Sequence, residues 1–109
     1  MDPLMLDLSA YTDAGVGVLA GRERGERVRR EAGLDRADRE GQAVQVVIPD
    51  DVDSVNSSFF LGLFEKSIFE LGADEFRRRY SFLGIDAEDV RDEGIRMALL
   101  IGSPLGPHT

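Results

Sequence analysis

Residues 42–63, QAVQVVIPDDVDSVNSSFFLGL, constrain the fold of this chain more than any other part. An apolar run that is typical of a buried strand ends at Pro49, because proline has no backbone N–H with which to continue a central strand. An acidic loop follows, and an Asn-Ser-Ser step then opens an apolar segment that is typical of a buried helix. This order predicts a strand, a short connection and a helix, which is the repeating unit of an α/β fold.

Ser57 and Ser58 are predicted to lie in the first turn of that helix. The unpaired backbone N–H groups at a helix N-terminus, and the positive end of the helix dipole, favour an anion. A phosphate on one of these serines, or an acidic ligand beside them, would therefore be stabilised there. The alternative is structural, because Asn and Ser are also common N-cap residues that contribute ~1 kcal/mol each to helix stability.

Length and charge restrict the class of protein. The 109 residues are predicted to form one domain, residues 1–102, followed by a disordered tail, residues 103–109. The net charge of -8 argues against nucleic acid or anionic membrane as a partner, because both attract basic surfaces. The chain has no cysteine and one histidine, His108, which argues against thiol chemistry, His-based metal sites and most catalytic triads. With no apolar span of membrane length, we expect a cytoplasmic protein. The lack of cysteine and the single histidine lead us to expect no metal and no cofactor.

The remaining elements follow from periodicity and turn residues. We predict strands at residues 3–9, 43–48 and 80–83, the last at a sheet edge, and helices at residues 18–33, 57–71, 73–79 and 86–100. A strand remains an alternative for residues 97–101, and residues 34–42 are predicted to be a polar connection. The fold class is therefore α/β (α+β), a small mixed β-sheet with helices packed mainly on one face.

Small residues predict where the helices pack closely. Gly21, Gly25, Val28 and Ala32 recur on one face of the first helix, which would let it lie against the sheet. On the helix predicted at residues 57–71, Ser58 and Gly62 lie one turn apart and form a small flat strip. This strip could admit either another backbone or a partner surface.

The strand, the acidic loop and the helix start VNSSFFLGLF resemble the STAS domain (sulfate transporter and anti-sigma factor antagonist). Together with the segment LAGRERG at residues 19–25, they are more similar to the STAS-like family of unknown function, over roughly residues 5–100. The resemblance implies a STAS-like fold and a non-catalytic regulatory module that binds a protein partner, such as a kinase-like ATPase regulator.

The resemblance also implies site residues. In anti-sigma factor antagonists the second serine of the motif is phosphorylated, which corresponds to Ser58 here, with Ser57 as the neighbouring candidate. The partner-binding candidates are the residues around them: Asp53, Asn56, Phe59 and Gly62. Two positions depart from the antagonist pattern, since Asn56 stands where the antagonists carry Asp and Phe59 replaces a glycine. Phosphorylation would add a charge of about -1.5 to -2 to an acidic neighbourhood, disfavouring an acidic partner and favouring a basic one.

Two other classes of function remain open. The glycines at positions 15, 17 and 21 resemble a phosphate-binding loop, with Arg22 as the anion-binding candidate, although no P-loop lysine follows. The acids at positions 50, 51 and 53 could bind Mg²⁺ in an enzyme, although a merely solvated acidic loop explains them better and no matching general acid or nucleophile is present. Residues 77–79, three arginines, are predicted to pair with Glu70, Asp74 and Glu75, and an exposed edge strand would allow a homodimer.

Overall fold

The computed structural model describes residues 2–11, 21–48 and 57–101. Of residue 101 it describes the backbone only. The elements in these residues alternate strands with helices. In chain order they are β1 (Leu4–Asp7), a 3-10 helix (Leu8–Tyr11), α1 (Arg22–Ala32), α2 (Leu34–Glu40), β2 (Val44–Val47), α3 (Ser57–Leu71), α4 (Ala73–Arg79), β3 (Tyr80–Leu83) and α5 (Ala87–Ile101).

The three described strands form a parallel sheet in the order β1-β2-β3. Two rows of in-register residues point to the core: Leu4, Val44 and Tyr80, and Leu6, Val46 and Phe82. All but the half-buried Leu4 are buried in the core. The sheet therefore buries one face, and the alternation within each strand leaves the other face more exposed.

Helix α3 supplies the centre of the core. Its buried residues run from Phe59 to Phe64 and continue to Ile68. The Phe64 ring packs edge-on against Phe60, Tyr80 and Phe82, with ring centroids 4.9 to 5.7 Å away. These aromatic contacts join α3 to β3 and exclude water from the space between the helices and the sheet.

Two glycines set the distance between α1 and α3. A Cβ atom at Gly25 would lie 2.3 Å from the backbone oxygen of Phe59, and a Cβ atom at Gly62 would lie 2.2 Å from the backbone oxygen of Arg22. Each glycine thus faces the backbone of the other helix. The small residues of α1 therefore serve a helix-to-helix contact, whereas the sequence predicted that they would face the sheet; Gly21 lies just before the helix.

The α/β fold class and the packing of the helices on one face of the sheet are confirmed. The sequence predicted a mixed sheet, and the described strands all pair in parallel. The predicted bounds of α3, α4 and β3 are confirmed, and residues 97–101 are helical. Strand β1 is shorter than predicted, because the chain enters a 3-10 helix at Leu8, whose side chain is buried. The predicted tail, residues 103–109, lies outside the described residues.

The prediction of a polar connection at residues 34–42 is wrong, because Leu34–Glu40 is helix α2. The element is short and mostly charged, so periodicity alone gives it a weak signal. Its formation depends on tertiary contacts: Leu34 and Ala37 are buried in the core. Gly33 and Gly41 flank it with left-handed backbone, which glycine adopts at no steric cost.

Candidate functional site

The first turn of α3 presents both candidate serines at the surface. Ser57 and Ser58 are exposed, and α3 begins at Ser57 as the sequence predicted. The other candidates in the preceding loop, Asp53 and Asn56, lie outside the described residues, as do the acids at positions 50 and 51. What can be built from the structure is therefore the surface around the start of α3.

Ser57 lies on the wall of a hollow between α3 and α5. Its volume is about 310 Å³, and the residues around it are Ser57, Phe60, Asp86, Asp89, Val90, Glu93, Gly94 and Met97. We refer to this hollow as the α3/α5 groove. Ser58 is not among its lining residues, so the two neighbouring serines face different surroundings.

The floor of the α3/α5 groove is apolar. Phe60 is 3% exposed and is held from below by the Phe64 and Phe82 rings. Gly94 lets α5 approach this ring, because a Cβ atom at that position would lie 2.3 Å from Phe60 Cε1. Val90 and Met97 complete the apolar surface.

The rim of the groove is acidic. Asp86, Asp89 and Glu93 are spaced three and four residues apart, so they project from the same side at the start of α5. Glu93 accepts a hydrogen bond from Arg96 at 2.5 Å, which lowers the pKa of its carboxyl group. Within residues 2–11, 21–48 and 57–101, neither Asp86 nor Asp89 has an ion-pair partner.

Two further observations define the chemistry of the rim. In the described part of the chain, no group of three or more Asp, Glu or His side chains has an arrangement that could hold a metal ion. Asp86 directly precedes α5 with a φ angle of 57°, a left-handed conformation that Asp tolerates better than most residues. The rim is thus a set of separate carboxylates on a helix start.

Two partner-binding candidates lie in the core. Phe59 is 0% exposed, and Gly62 is buried where the backbone of Arg22 crosses α3. Phe59 presents no surface to a partner in this structure, and Gly62 contributes only to a hollow beside Arg22. The flat strip at Gly62 is occupied by the backbone of α1, which is one of the two alternatives that the sequence left open. The burial of Phe59 and Gly62 argues against both as partner-binding residues.

The anion-binding candidate, Arg22, already has a carboxylate partner. Its Nη1 atom donates to Glu65 Oε1 at 2.8 Å, and this hydrogen bond raises the pKa of the guanidinium. Arg22 lines a different hollow from Ser57, together with Gly62 and Lys66. The glycines at positions 15 and 17, which suggested a phosphate loop, lie outside the described residues.

The three arginines at the end of α4 form ion pairs. Arg77 lies 3.7 Å from Asp74, and Arg79 Nε donates to Glu75 at 2.7 Å. Arg78 also pairs with Glu75. The prediction that these arginines pair with nearby acids is confirmed for Asp74 and Glu75.

A buried polar network was not predicted. It links α1, α2, α3 and β3 through side chains that are at most 8% exposed: Arg29, Asp38, Ser67 and Tyr80. Asp38 accepts hydrogen bonds from the Ser67 hydroxyl at 2.5 Å and the Tyr80 hydroxyl at 2.6 Å. Arg29 Nη1 donates to Ser67 Oγ at 2.8 Å. A serine inside the apolar face of α3 was the available sequence signal, since a buried hydroxyl requires a partner.

The side chains of the network are almost fully buried, and Arg29 borders the hollow that Arg22 and Lys66 also line. Burial raises the pKa of the Tyr80 hydroxyl far above its usual value, with its hydrogen bond to Asp38 acting in the same direction. Arg29 also donates to Asp35 at 2.7 Å and thereby lowers the pKa of that carboxyl group. Every buried side-chain nitrogen or oxygen among the described residues has a partner. The arrangement is that of a structural connection between helices and sheet.

The fold and the groove define a small α/β domain with an apolar hollow, an acidic rim and a serine on its wall. Comparison with known proteins adds no family, because the chain matches no family model, no curated protein and no solved structure. In the described residues, no helix is both long and apolar enough to cross a membrane.

Proposed function

We propose that this chain is a non-catalytic regulatory module that binds a protein partner at the α3/α5 groove and is switched by phosphorylation of Ser57 or Ser58. The observation that carries the proposal is the position of Ser57, exposed on the first turn of α3 and on the wall of the groove. The STAS-like resemblance of the sequence is consistent with such a module, and its kinase-like ATPase regulators are the proposed class of partner.

The groove suits a side chain that is apolar along its length and positively charged at its end. Phe60, Val90 and Met97 offer an apolar surface, and the carboxylates of the rim lie beside it. Arg and Lys side chains combine an apolar stem with a cationic head. A partner segment in which arginine alternates with leucine would therefore complement both parts of the groove.

Phosphorylation of Ser57 would change the charge of this surface directly. A phosphate adds about -1.5 to -2 charges at neutral pH. The N-terminus of α3 would offset part of this charge, while the acidic rim would add to it. We therefore expect tighter binding of a basic partner and weaker binding of an acidic one. Ser57 lines the groove, so it becomes the leading candidate in place of Ser58, which the sequence resemblance implies.

The electrostatic part of the proposal is tested with two short capped peptides, one alternating leucine with arginine and one alternating leucine with glutamate. Ser57→Asp is expected to strengthen binding of the arginine peptide about threefold, the usual scale for a surface charge pair. Ser58→Asp, one residue away, is the matched control and is expected to have a smaller effect. Binding is measured by fluorescence anisotropy at physiological salt.

Equal effects of Ser57→Asp and Ser58→Asp, or no effect of either, would contradict the assignment of the switch to the groove. The modification itself is tested by mass spectrometry of the protein isolated from its native cells. Phosphate on Ser57 or Ser58 supports the switch. Unmodified serines under several growth conditions would leave Ser57 and Ser58 as residues that only begin a helix.

A further inference from the structure

The side of α5 that faces the α3/α5 groove changes in character along the helix. Residues spaced four and three apart form one stripe along that side: Asp86, Val90, Glu93, Met97 and Leu100. All of them except Leu100 line the groove, and Leu100, one turn beyond Met97, is 66% exposed. The stripe therefore begins with a carboxylate and ends with an apolar side chain that the described elements leave open to solvent.

The negative charge of this surface is concentrated at the start of α5. In the described part of the chain, neither Asp86 nor Asp89 pairs with a cation. Glu93, further along the helix, is already paired, because Arg96 donates to it at 2.5 Å. The N-terminus of α5 carries about half a positive charge, which the two carboxylates outweigh. A cationic partner group is therefore attracted most strongly to the start of the helix and less strongly to Glu93.

The acidic and apolar ends of the stripe lie too far apart for one side chain of a partner. Asp89 and Leu100 are separated by about 16 Å, at about 1.5 Å per residue of helix. This distance exceeds the length of an arginine or lysine side chain, whose apolar stem has only about three or four methylene groups. An extended segment covers the same distance in about five residues. The cationic group and the apolar group must therefore come from different residues of the partner.

We propose that the protein segment bound by the α3/α5 groove has its positive charges grouped at one end and its apolar side chains grouped about 16 Å away. This inference rests on the proposed function and adds the order and the spacing of the two groups. The cationic end lies against Asp86 and Asp89, which line the groove with Ser57, and the apolar end lies against Met97 and Leu100. The reverse order is disfavoured, because apolar groups would desolvate the carboxylates without pairing with them. Phosphate on Ser57 would act on the cationic end of the segment.

Two capped peptides of the same composition test the order and the spacing. In the separated peptide, two arginines and two leucines flank four prolines, which hold the two groups about 16 Å apart in an extended polyproline helix. In the mixed peptide, arginine and leucine alternate at the centre, between two pairs of prolines. The separated peptide is expected to bind the full chain about tenfold more tightly, because it contacts both ends of the stripe at once. Binding is measured by fluorescence anisotropy at physiological salt.

Neighbouring residues of α5 supply matched control variants. Leu100→Asp is expected to weaken binding of the separated peptide about tenfold, because it places a charge against the leucines. Leu99→Asp changes a residue that is 51% exposed on another side of the helix and should leave binding unchanged. At the other end, Asp89→Asn is expected to weaken binding about threefold. Glu88→Gln, at a residue that does not line the groove, should leave binding unchanged.

The orientation of the bound peptide is read from Met97, which lies one turn from Leu100 and more than two turns from Asp89. The chain has no cysteine, so a nitroxide on a cysteine added to either end of the separated peptide labels the peptide alone. The label at the leucine end should broaden the ¹³C methyl signal of Met97 more than the label at the arginine end.

Equal affinities of the two peptides, equal effects of the two variants in either pair, or stronger broadening from the arginine end would overturn the proposal. If Ser57→Asp still strengthens binding of both peptides, equal affinities overturn only the order of the charges and leave the proposed function standing. Absence of binding by both peptides would overturn the two together. An apparent affinity that falls as the protein concentration rises would show that a second copy occupies the groove, and this result would also overturn the proposal.

Discussion

Asp38 holds four elements together at the scale of single residues. It lies on α2, accepts hydrogen bonds from Tyr80 on β3 and Ser67 on α3, and lies 3.3 Å from Arg29 on α1. A buried charge is tolerated only where its hydrogen bonds are satisfied. Each side chain of the network therefore reduces the free-energy cost of burying the others. The charged helix α2 is fixed in place by this network and by the burial of Leu34.

Replacing Asp38 by alanine is expected to lower the free energy of unfolding by about 3 kcal/mol, because it leaves buried hydroxyls and part of the Arg29 charge without a partner. Arg29 keeps Asp35, so the loss should fall at the lower end of the range for a broken buried pair. The measurement is urea denaturation followed by circular dichroism.

The control for Asp38→Ala is Glu40→Ala at the end of the same helix. Glu40 pairs with Arg36, whose side chain is 75% exposed, so its loss should change the free energy of unfolding by less than about 1 kcal/mol. Equal losses from the two variants would show that the buried network contributes no more than a surface ion pair.

At the scale of elements, the contact between α1 and α3 depends on the absence of side chains at Gly25 and Gly62. Gly25 and Gly62 place the two backbones against each other, so the helices lie closer than side chains would allow. Glycine in a helix costs about 1 kcal/mol relative to alanine. The packing of α1 on α3 must therefore offset a local cost at both positions.

Gly25→Ala is expected to lower the free energy of unfolding by about 1–3 kcal/mol, although alanine favours the helix, because the new methyl group would overlap Phe59 backbone that cannot move aside. Glu26→Ala on the exposed side of α1 is the matched control and should change stability little. Chemical denaturation of both variants tests this. A Gly25→Ala variant that is more stable than the wild type would mean that helix propensity outweighs the contact.

The sequence was sufficient for elements that carry strong local signals. Helix α3 has a polar first turn and a continuous apolar body, and Gly72 stops it with a positive φ angle. Both features are local, so the bounds of α3 followed from the residues. The packing of helices on one face of the sheet was likewise expected, from the alternation of strands and helices along a short chain.

Features that depend on distant partners were not predictable. The polar helix α2 is stabilised by Leu34 and Asp38, whose contacts lie on other elements. Gly62 could have faced a partner or another backbone, and only the path of α1 decided between them. The groove likewise forms from Ser57 and α5, more than twenty residues apart in the chain. Only the serine half of that site had a signal in the sequence.

At the scale of the whole molecule, the sheet has one central strand and two edges in the described residues. Strand β2 pairs on both sides, while β1 and β3 each pair on one side. Edge strands leave backbone N–H and C=O groups available to another chain, and the short length of these strands limits that exposure. An edge is also where the homodimer allowed by the sequence would form.

Hydrogen exchange is expected to be slowest for the amides of β2 and distinctly faster for those amides of β1 and β3 that point away from β2, because the central strand is bonded on both sides. Exchange followed by NMR at two protein concentrations tests this. Slow exchange along the free edge of β1, increasing with concentration, would contradict the arrangement of a single sheet per molecule and would indicate pairing between copies.

The backbone contact between α1 and α3 also supplies a marker for finding relatives. No other residue type fits at Gly25 without displacing Phe59 backbone, or at Gly62 without displacing Arg22 backbone. Any chain that shares this helix crossing should carry glycine at both places, even where the rest of its sequence has diverged. A glycine in α1 paired with a glycine in α3, with α2 and β2 between them in the chain, can therefore recognise distant members of the fold when overall identity is too low to do so.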